Sequence, residues 1–327
     1  MKERFIKKSV FLYLITLVTI ISTSLLVSAA EKWPSRPITI VVPFGAGGGA
    51  DTSARALAKH WERELGVKLL VVNRPGANAQ VGTSYFLDQP ADGNTVLLGA
   101  QMFYSSNIVL QNASYGIDDI SLLSFLELDH DCMSVPATSP YQTFEDLNKA
   151  ILSNPGKIRV ARSPASPSAI LVDALIDKFK WDIKTVSYEA APARQAALLG
   201  GHLDVGVGGV TSAIKNDERV LAVWAKKRIA ALPDVPTLDE LFGEELPAMG
   251  TPRFIAVHAS LEKEHPDRYR FLLDTLKKTF DSSAYKEEIK KLGWEDISSW
   301  HGPEESNRLN REIHETIIRF KDSLGDS

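Results

Sequence analysis

Ile38-Thr39-Ile40-Val41-Val42-Pro43-Phe44-Gly45-Ala46-Gly47-Gly48-Gly49-Ala50-Asp51 is the stretch of sequence that decides the fold class. Its first five residues form a nearly continuous apolar run, which is typical of a strand whose sheet is covered by helices on both faces. After the glycines, apolar residues recur at helical spacing up to Leu65, and Gly66 marks the end of that helix. A strand, a glycine loop and an amphipathic helix in this order predict a βαβ unit.

The same alternation of apolar runs and amphipathic stretches continues along the chain. Further strands are predicted at 67–72, 95–98, 158–160, 185–187, 205–207 and 221–223, and helices at 143–153, 168–180, 192–200, 211–216, 263–281, 284–292 and 303–323. The chain has 327 residues, about twice the ~150 of one domain. We therefore expect an α/β fold with two lobes, each built on a mostly parallel sheet.

The chain is predicted to cross from one lobe to the other near residues 130 and 250. Lobe 1 then comprises residues 31–130 and 251–327, and lobe 2 comprises residues 131–250. A ligand cleft is expected between them.

Composition and charge exclude several classes of protein. The single cysteine, Cys132, can form neither an internal disulfide nor a cysteine-based metal cluster. The formal charge of −4 shows no basic excess of the kind that nucleic-acid binding requires. The apolar core must therefore stabilise the fold, and we expect no nucleic-acid partner.

The N-terminus has the pattern of a secretory signal. Four basic residues lie among the first eight, and residues 9–30 carry no charge. Small residues allow cleavage after Ala29 or Ala30, so residues 1–30 are predicted to be the signal peptide of an exported protein. The alternative is a retained membrane anchor, because the apolar run of about 18 residues is close to the length of a spanning helix.

The glycine loop is a candidate anion site. Unpaired backbone N–H groups and the positive end of the following helix converge where residues 45–51 join the strand to the helix. The alternatives are a merely tight turn and a dinucleotide fingerprint, which Gly45-x-Gly47-x-x-Ala50 formally fits. The fingerprint is disfavoured because Asn73 stands where the ribose-binding acid is expected.

A second loop, at residues 162–168, has the same character. Ser166 is a candidate N-cap, and Pro167 occupies the first helical position. Two loops that each aim a helix N-terminus into one cleft could hold a carboxylate from both sides; the alternative is a connection stiffened by its prolines. Arg162 is either a partner for a second ligand carboxylate or a solvated residue at the rim.

No enzymatic motif is complete in this sequence. The seven histidines lack metal-ligand spacing, and Ile318 stands where a zincin-like His314-Glu315 pair needs its second histidine. Cys132 has no context that would make it a nucleophile, and Asp51 is expected to hydrogen-bond to its own loop or to water. We therefore expect no catalytic residue, metal or cofactor, and binding without chemistry.

Several separated motifs resemble one known family. They are PSRPITIVVPF (34–44), GGGAD (47–51), NRPG (73–76), PADG (90–93), LLGGHLD (198–204), ALPDVPT (231–237) and a helix starting GPEE (302–305). Together they are similar to the substrate-binding proteins of tripartite tricarboxylate transporters, the Bug family. The resemblance implies a two-lobed periplasmic binding protein of the Venus-flytrap type that closes on a small carboxylate and delivers it to membrane transporter subunits. We expect the protein to be a monomer.

The resemblance also assigns roles to individual residues. It implies that Phe44 packs on the ligand and that two sets of residues shape the binding loops, namely Gly47, Gly48 and Asp51 in the first loop and Ser163, Ser166 and Ser168 in the second. Tyr188 matches the family's cleft tyrosine, and Gly208, a further expected ligand contact, stands with Gly209 where an Asp-Asn pair is frequent.

The remaining departures from the family concern the choice of ligand. Arg253 replaces an aromatic residue, and the acid is missing at Gly208. With basic groups at 162 and 253, a di- or tricarboxylate is favoured over an amino acid. Two other functions stay open at this point: presentation of the ligand to a membrane sensor kinase, and a secreted α/β enzyme acting on a small acid.

Overall fold

A computed structural model describes residues 33–162, 166–188, 191–225, 227–243 and 250–324. The predicted signal peptide, residues 1–30, lies outside these residues, and so does Ser163. The chain divides into two units, Met1–Arg36 and Pro37–Ser327. In the first unit, residues 33–36 contain no helix or strand, and everything that follows concerns the second.

Strands and helices alternate over most of the described chain. The strands are β1 (Ile38–Val42), β2 (Leu69–Asn73), β3 (Thr95–Ala100), β4 (Ile120–Pro136), β5 (Arg159–Ala161), β6 (Lys184–Val186), β7 (Gly206–Gly209), β8 (Glu218–Val223) and β9 (Gly250–His258). The α-helices are α1 (Gly49–Leu65), α2 (Gln80–Leu87), α3 (Gln101–Leu110), α4 (Phe144–Ser153), α5 (Pro167–Phe179), α6 (Ala191–Leu199), α7 (Val210–Lys215), α8 (Leu238–Phe242), α9 (Leu261–Glu264), α10 (Pro266–Asp281), α11 (Ser283–Lys291) and α12 (Gly302–Leu324). A short 3₁₀ helix at Ala77–Ala79 precedes α2.

The strands form mixed sheets. Five strands lie in the order β2-β1-β3-β9-β4, and β4 also pairs with β7 and β8. The pairs β1–β2, β1–β3 and β5–β6 are parallel. The pairs β3–β9, β4–β9, β4–β7 and β4–β8 are antiparallel. The α/β fold is as expected, but the sheets are not mostly parallel, because β4 and β9 run against their neighbours.

Strand β4 connects the two sets of strands. From Ile120 to His130 it pairs with β9, and from Asp131 to Pro136 it pairs with β7 and β8 instead. The change of partners falls at the residue where a boundary between lobes was predicted. The division into two lobes itself stays a prediction.

Helix α1 follows the apolar pattern of its sequence. Its inner face includes Leu57 and Trp61, both fully buried, and the Trp61 indole Nε1 donates to Thr275 Oγ1 of α10 at 3.0 Å. Gly66 ends the helix in the left-handed conformation with φ 74°, as predicted. A large apolar face with a satisfied indole fixes α1 against α10, and this also fixes the glycine loop at its start.

Two apolar clusters belong to the core. One packs β1, β3 and β9 residues such as Val41, Leu97 and Phe254. The other includes Val160 of β5 and Leu171 of α5. No helix in the part of the chain that the structure describes combines the length and the apolar character needed to cross a bilayer.

Most predicted elements are present, with bounds that differ by one or two residues. Thr143 caps α4 and forms a capping box with Asp146, in agreement with the predicted start of that helix. The helix predicted over 263–281 is divided into α9 and α10, because Pro266 starts a new helix. Strand β9 and the full length of β4 were missed, as were α2 and α3.

A glycine in β3 tests the packing between the sheet strands. Gly99 pairs with Phe254 of β9, and a Cβ at Gly99 would lie 2.5 Å from Phe254 Cζ. We expect Gly99→Ala to destabilise the protein by about 1–3 kcal/mol through overpacking, measured by urea unfolding. Gly116→Ala is the matched control, since the nearest atom to its Cβ would be 4.0 Å away. Equal stability of the two variants would contradict this packing.

Candidate functional site

A cavity of about 180 Å³ lies where several loops and strand ends meet. One part of its wall comes from residues 43–103 and from β9. It includes Phe44, Gly48, Gly49, Phe103 and Arg253. The other part comes from β4 and from the segments that follow β5, β6 and β7, and includes Asp129, Asp131, Ser166, Ser168, Tyr188, Arg194 and Gly208. The cavity therefore collects residues that are far apart in the sequence.

The glycine loop forms the first strand–helix junction at the cavity. Gly48 is the N-cap of α1 and has an extended backbone, so α1 begins at Gly49 beside the cavity. Gly47 has φ +80°, a conformation that glycine adopts without strain. The first turn of an α-helix carries amide N–H groups without intrahelical partners, so this junction presents a positive electrostatic potential.

Asp51 stabilises the conformation of this loop through hydrogen bonds. It is buried, and its Oδ2 accepts hydrogen bonds from the Gly47 amide at 2.8 Å and from Arg55 Nε at 3.0 Å. Burial raises the pKa of Asp51, but these hydrogen bonds outweigh burial and the pKa lies below its usual value. Asp51 therefore hydrogen-bonds to its own loop, as expected. Neither Asp51 nor Gly47 is among the residues that line the cavity.

Phe44 supplies an apolar surface next to this loop. Its ring meets that of Phe103 edge to face, with centroids 5.2 Å apart, a favourable arrangement for two aromatic rings. The Asn73 side chain donates to the Phe44 carbonyl at 3.0 Å and ties β2 to the start of the loop. The junction thus combines a polar helix end with an apolar wall.

The second strand–helix junction lies at the start of α5. Ser166 is the N-cap of α5, as predicted, with Pro167 in the first turn. Its hydroxyl does not cap the helix and lies 2.8 Å from the hydroxyl of Ser168. Both serines line the cavity, as does Tyr188. The structure therefore brings the two predicted loops to one cavity.

Arg253 of β9 lies in a buried ionic cluster at the cavity. Its Nη2 donates to Asp129 Oδ2 at 2.7 Å, and its Nη1 lies 3.8 Å from Glu127 Oε2. Glu127 is fully buried and also accepts hydrogen bonds from the Ser53 hydroxyl of α1 at 2.7 and 2.8 Å. Burial raises the pKa of Glu127, although Arg253 and Ser53 oppose that shift. The Arg253 guanidinium is thus already engaged by Asp129.

Glycines at the ends of two elements make room for this cluster. A Cβ at Gly49 would lie 2.6 Å from Arg253 Nη2. A Cβ at Gly209 would lie 2.5 Å from Asp129 Oδ2. Both positions therefore need a residue without a side chain because charged groups approach their backbones closely.

Arg194 is a cavity residue that sequence analysis missed. It lies in the first turns of α6 and is 8% exposed. Its Nη2 makes one long hydrogen bond, 3.4 Å, to Gln195 Oε1, and its Nη1 has no hydrogen-bond partner among the described residues. The sequence did place a helix at 192–200, and an arginine so near its start could have been noted as a possible cavity residue.

Arg162, in contrast, is turned to a different partner. Its Nε and Nη2 each donate to Asp173 of α5 at 2.7 Å. It is not among the cavity-lining residues. A contact between Arg162 and a ligand stays a prediction, while the bidentate pair with Asp173 is the interaction that the structure contains.

The sequence matches the family model described as tripartite tricarboxylate transporter family receptor (TctC) over residues 53–323. A protein from the tcbD-tcbE intergenic region of Pseudomonas sp. (strain P51) is 30% identical over 219 residues, 65% of each chain. This chain thus covers about two thirds of that relative. Protein BugT of Bordetella pertussis is 27% identical over 239 residues, 70% of each chain.

Solved structures share the fold. The periplasmic binding protein BugD is 23% identical with a TM-score of 0.79, over 90% of this chain and 99% of that one. MatC from Rhodopseudomonas palustris with bound malate is 20% identical with a TM-score of 0.75, over 89% and 100% of the two chains. The R. palustris protein Rpa4515 with adipate is 20% identical with a TM-score of 0.79, over 90% and 98%.

These findings confirm the resemblance that the sequence motifs indicated. The family match covers most of the chain, and the solved structures establish the periplasmic-binding-protein fold. The chain therefore belongs to the TctC, or Bug, family of tripartite tricarboxylate transporter receptors, which are binding proteins and not enzymes.

Proposed function

We propose that this protein captures a small carboxylate, with a di- or tricarboxylate favoured, and delivers it to the membrane subunits of a tripartite tricarboxylate transporter. One observation carries the proposal: the start of α1 at Gly48 and Gly49 and the start of α5 at Ser166 and Ser168 line the same cavity. The proposal places the protein in the periplasm, with residues 1–30 as its export signal.

Physical chemistry favours an anion at this position. A helix N-terminus attracts negative charge through its unpaired amides and its dipole. One hydroxyl of the Ser166–Ser168 pair donates to the other, and a serine hydroxyl at this junction that turns to the ligand can donate to a carboxylate oxygen and replace part of the hydration that the ligand loses. The rings of Phe44 and Phe103 suit the carbon skeleton of an organic acid, and aromatic walls with a few polar groups are common in small-molecule sites.

Closure of two lobes would make affinity depend on both loops. In this proposal, residues 31–130 with 251–327 form one lobe and residues 131–250 form the other. The change of partners along β4 at Asp131 supports a hinge there, since β4 is the strand that pairs with both sets. A ligand that contacts both junctions stabilises the closed state more than the open one.

Two of the solved relatives contain ligands of the proposed class. The MatC structure holds malate and the Rpa4515 structure holds adipate, and both molecules are dicarboxylates. Because this chain has the same fold, these acids are the first ligands to test. Citrate extends the set to a tricarboxylate.

A ligand screen by thermal shift tests the proposed function. Malate, adipate, citrate and matched monocarboxylates are added separately to the purified protein. A ligand at a hundred times its Kd stabilises the native state by about 2.7 kcal/mol, which raises Tm by roughly 4 °C for a chain of this size. At least one acid is expected to produce such a rise. Neutral analogues such as the corresponding amides serve as controls, and no rise with any acid would contradict the proposal.

A substitution in the first loop tests the position of the site. Gly48 lines the cavity, and its Cβ would already lie 3.3 Å from the Gly45 carbonyl oxygen. Gly48→Leu is expected to weaken binding of the best acid by about tenfold or more, because the loop amides can no longer approach the carboxylate. Isothermal titration calorimetry measures the change.

The control for this substitution is Gly116→Leu, which introduces the same side chain in a loop outside the cavity lining. Circular dichroism establishes that both variants are folded. Retention of full affinity by a folded Gly48→Leu variant would exclude the glycine loop as the binding site.

A further inference from the structure

The geometry points to Arg194 as the specificity-determining residue that receives a second acidic group of the ligand. The cavity then selects molecules with two acidic groups over monocarboxylates of the same chain length. This inference rests on the proposed function, because it concerns the same cavity and assumes that a first carboxylate binds at the helix N-termini.

The first argument is the state of the Arg194 guanidinium. The residue is 8% exposed and lines the cavity, and its Nη1 has no hydrogen-bond partner among the described residues. A buried cationic N–H group without an acceptor is costly, because it has lost its hydration and gained no equivalent interaction. An acidic ligand group at this point would supply the missing acceptor in a charge-assisted hydrogen bond.

The nearby acid Glu218 does not fill this role. Its carboxylate accepts hydrogen bonds from the Ser134 hydroxyl and from the Gln195 side-chain amide. Gln195 in turn accepts the long bond from Arg194 Nη2 at 3.4 Å. Glu218 therefore acts on the guanidinium through an intervening amide, and the Nη1 donors stay available.

The other arginine that lines the cavity is already paired. Arg253 Nη2 is bonded to Asp129 at 2.7 Å, and Glu127 lies close to its Nη1. A ligand carboxylate at Arg253 would have to compete with a buried carboxylate in direct contact. The Nη1 atoms of both arginines lack a hydrogen-bond partner among the described residues. Arg253, however, has carboxylates at 2.7 and 3.8 Å that already offset its charge, whereas no described carboxylate forms an ion pair with Arg194.

Two glycines of β7 leave room for the Arg194 guanidinium against the backbone of that strand. A Cβ at Gly206 would lie 2.7 Å from Arg194 Nη1, and a Cβ at Gly208 would lie 3.1 Å from Nη2. These alternate residues share one face of the strand, so the guanidinium lies flat against the backbone there. A preorganised cation loses little entropy when it binds an acidic group.

Acidic side chains in the same cavity make the preference for diacids depend more strongly on Arg194. Asp129 and Asp131 both line it and are buried. A carboxylate side chain near the ligand disfavours a second acidic group on it unless a cation offsets that repulsion. Arg253 offsets Asp129, and Arg194 is the other arginine among the described residues of the cavity wall. Removal of Arg194 should therefore weaken diacids selectively.

The test compares matched acids by isothermal titration calorimetry. The ligand pairs are succinate with butyrate, glutarate with pentanoate, and adipate with hexanoate. The unmodified protein is expected to bind at least one diacid about tenfold or more tighter than its monoacid partner. Arg194→Met should abolish that preference by weakening the diacid, with monoacid affinity changed by less than about threefold, and Arg194→Lys should retain part of the preference.

Two further variants serve as a control and as an independent test of the role of Arg194. Arg228→Met removes the same charge from a surface pair with Glu240, outside the cavity lining, and should leave the preference unchanged. Gly208→Ala crowds the guanidinium without removing its charge and should also weaken diacids selectively. It provides an independent test if Arg194→Met fails to fold.

The outcomes separate this inference from the proposed function. If carboxylates bind but diacids show no advantage, or if folded Arg194→Met and Gly208→Ala variants keep the advantage, the role of Arg194 is wrong and the proposed function stands. If no carboxylate binds to the unmodified protein, both are wrong.

Discussion

The buried contact between Arg253 and Asp129 is the interaction on which the cavity depends. It joins β9 to β4 next to the point where β4 changes its partners, and Glu127 extends it to Ser53 of α1. Ion pairs in a protein interior gain little net stability, but loss of one partner typically costs about 3–5 kcal/mol because a buried charge is left uncompensated. We therefore infer that the cluster mainly fixes the relative positions of α1, β4 and β9. It holds the helix that carries the glycine loop against the two strands that form the base of the cavity.

This constraint also determines how an anion can be recognised. With Arg253 held by Asp129, positive potential for a first carboxylate has to come from groups without formal charge, namely the helix starts at Gly48 and Ser166. Amide dipoles act over short distances and need the ligand to be desolvated and close. A site of this kind distinguishes ligands by shape and by the position of their acidic groups. Arg194 adds a formal charge at one further point, which is why it suits selection between ligands more than attraction of anions in general.

The sequence predicted the βαβ pattern, the bounds of most helices and the two loops, because each rests on local signals such as apolar periodicity, caps and glycines. It did not predict α2, α3 or α8. It failed where tertiary contacts overrule those signals. β4 begins with an apolar run that includes Leu122, Phe125 and Leu126, but the buried acids Glu127 and Asp129 follow inside the same strand. Acidic residues normally indicate the end of a buried strand, so the full length of β4 could not be predicted. Arg194 looks like an ordinary polar residue of a short helix. Its burial follows from its contact with β7, which no local pattern reveals. The loops that contain Gly48, Ser166 and Ser168 could be predicted because glycine, serine and proline mark strand–helix junctions directly, whereas Phe44 was assigned only through the resemblance to the family.

The glycines show most clearly what a sequence pattern leaves undetermined. Four glycines in the first loop suggest close approach of a ligand to the backbone, yet Gly49 is also required by the Arg253 guanidinium, and Gly206 by that of Arg194. The absence of a side chain at these positions therefore serves the protein's own charges as much as a ligand. It follows that each of these glycines and the arginine packed against it depend on each other. A relative that carried a larger residue at 206 or 208 would have to move or replace the arginine, and with it the charge that the cavity presents to the far end of its ligand.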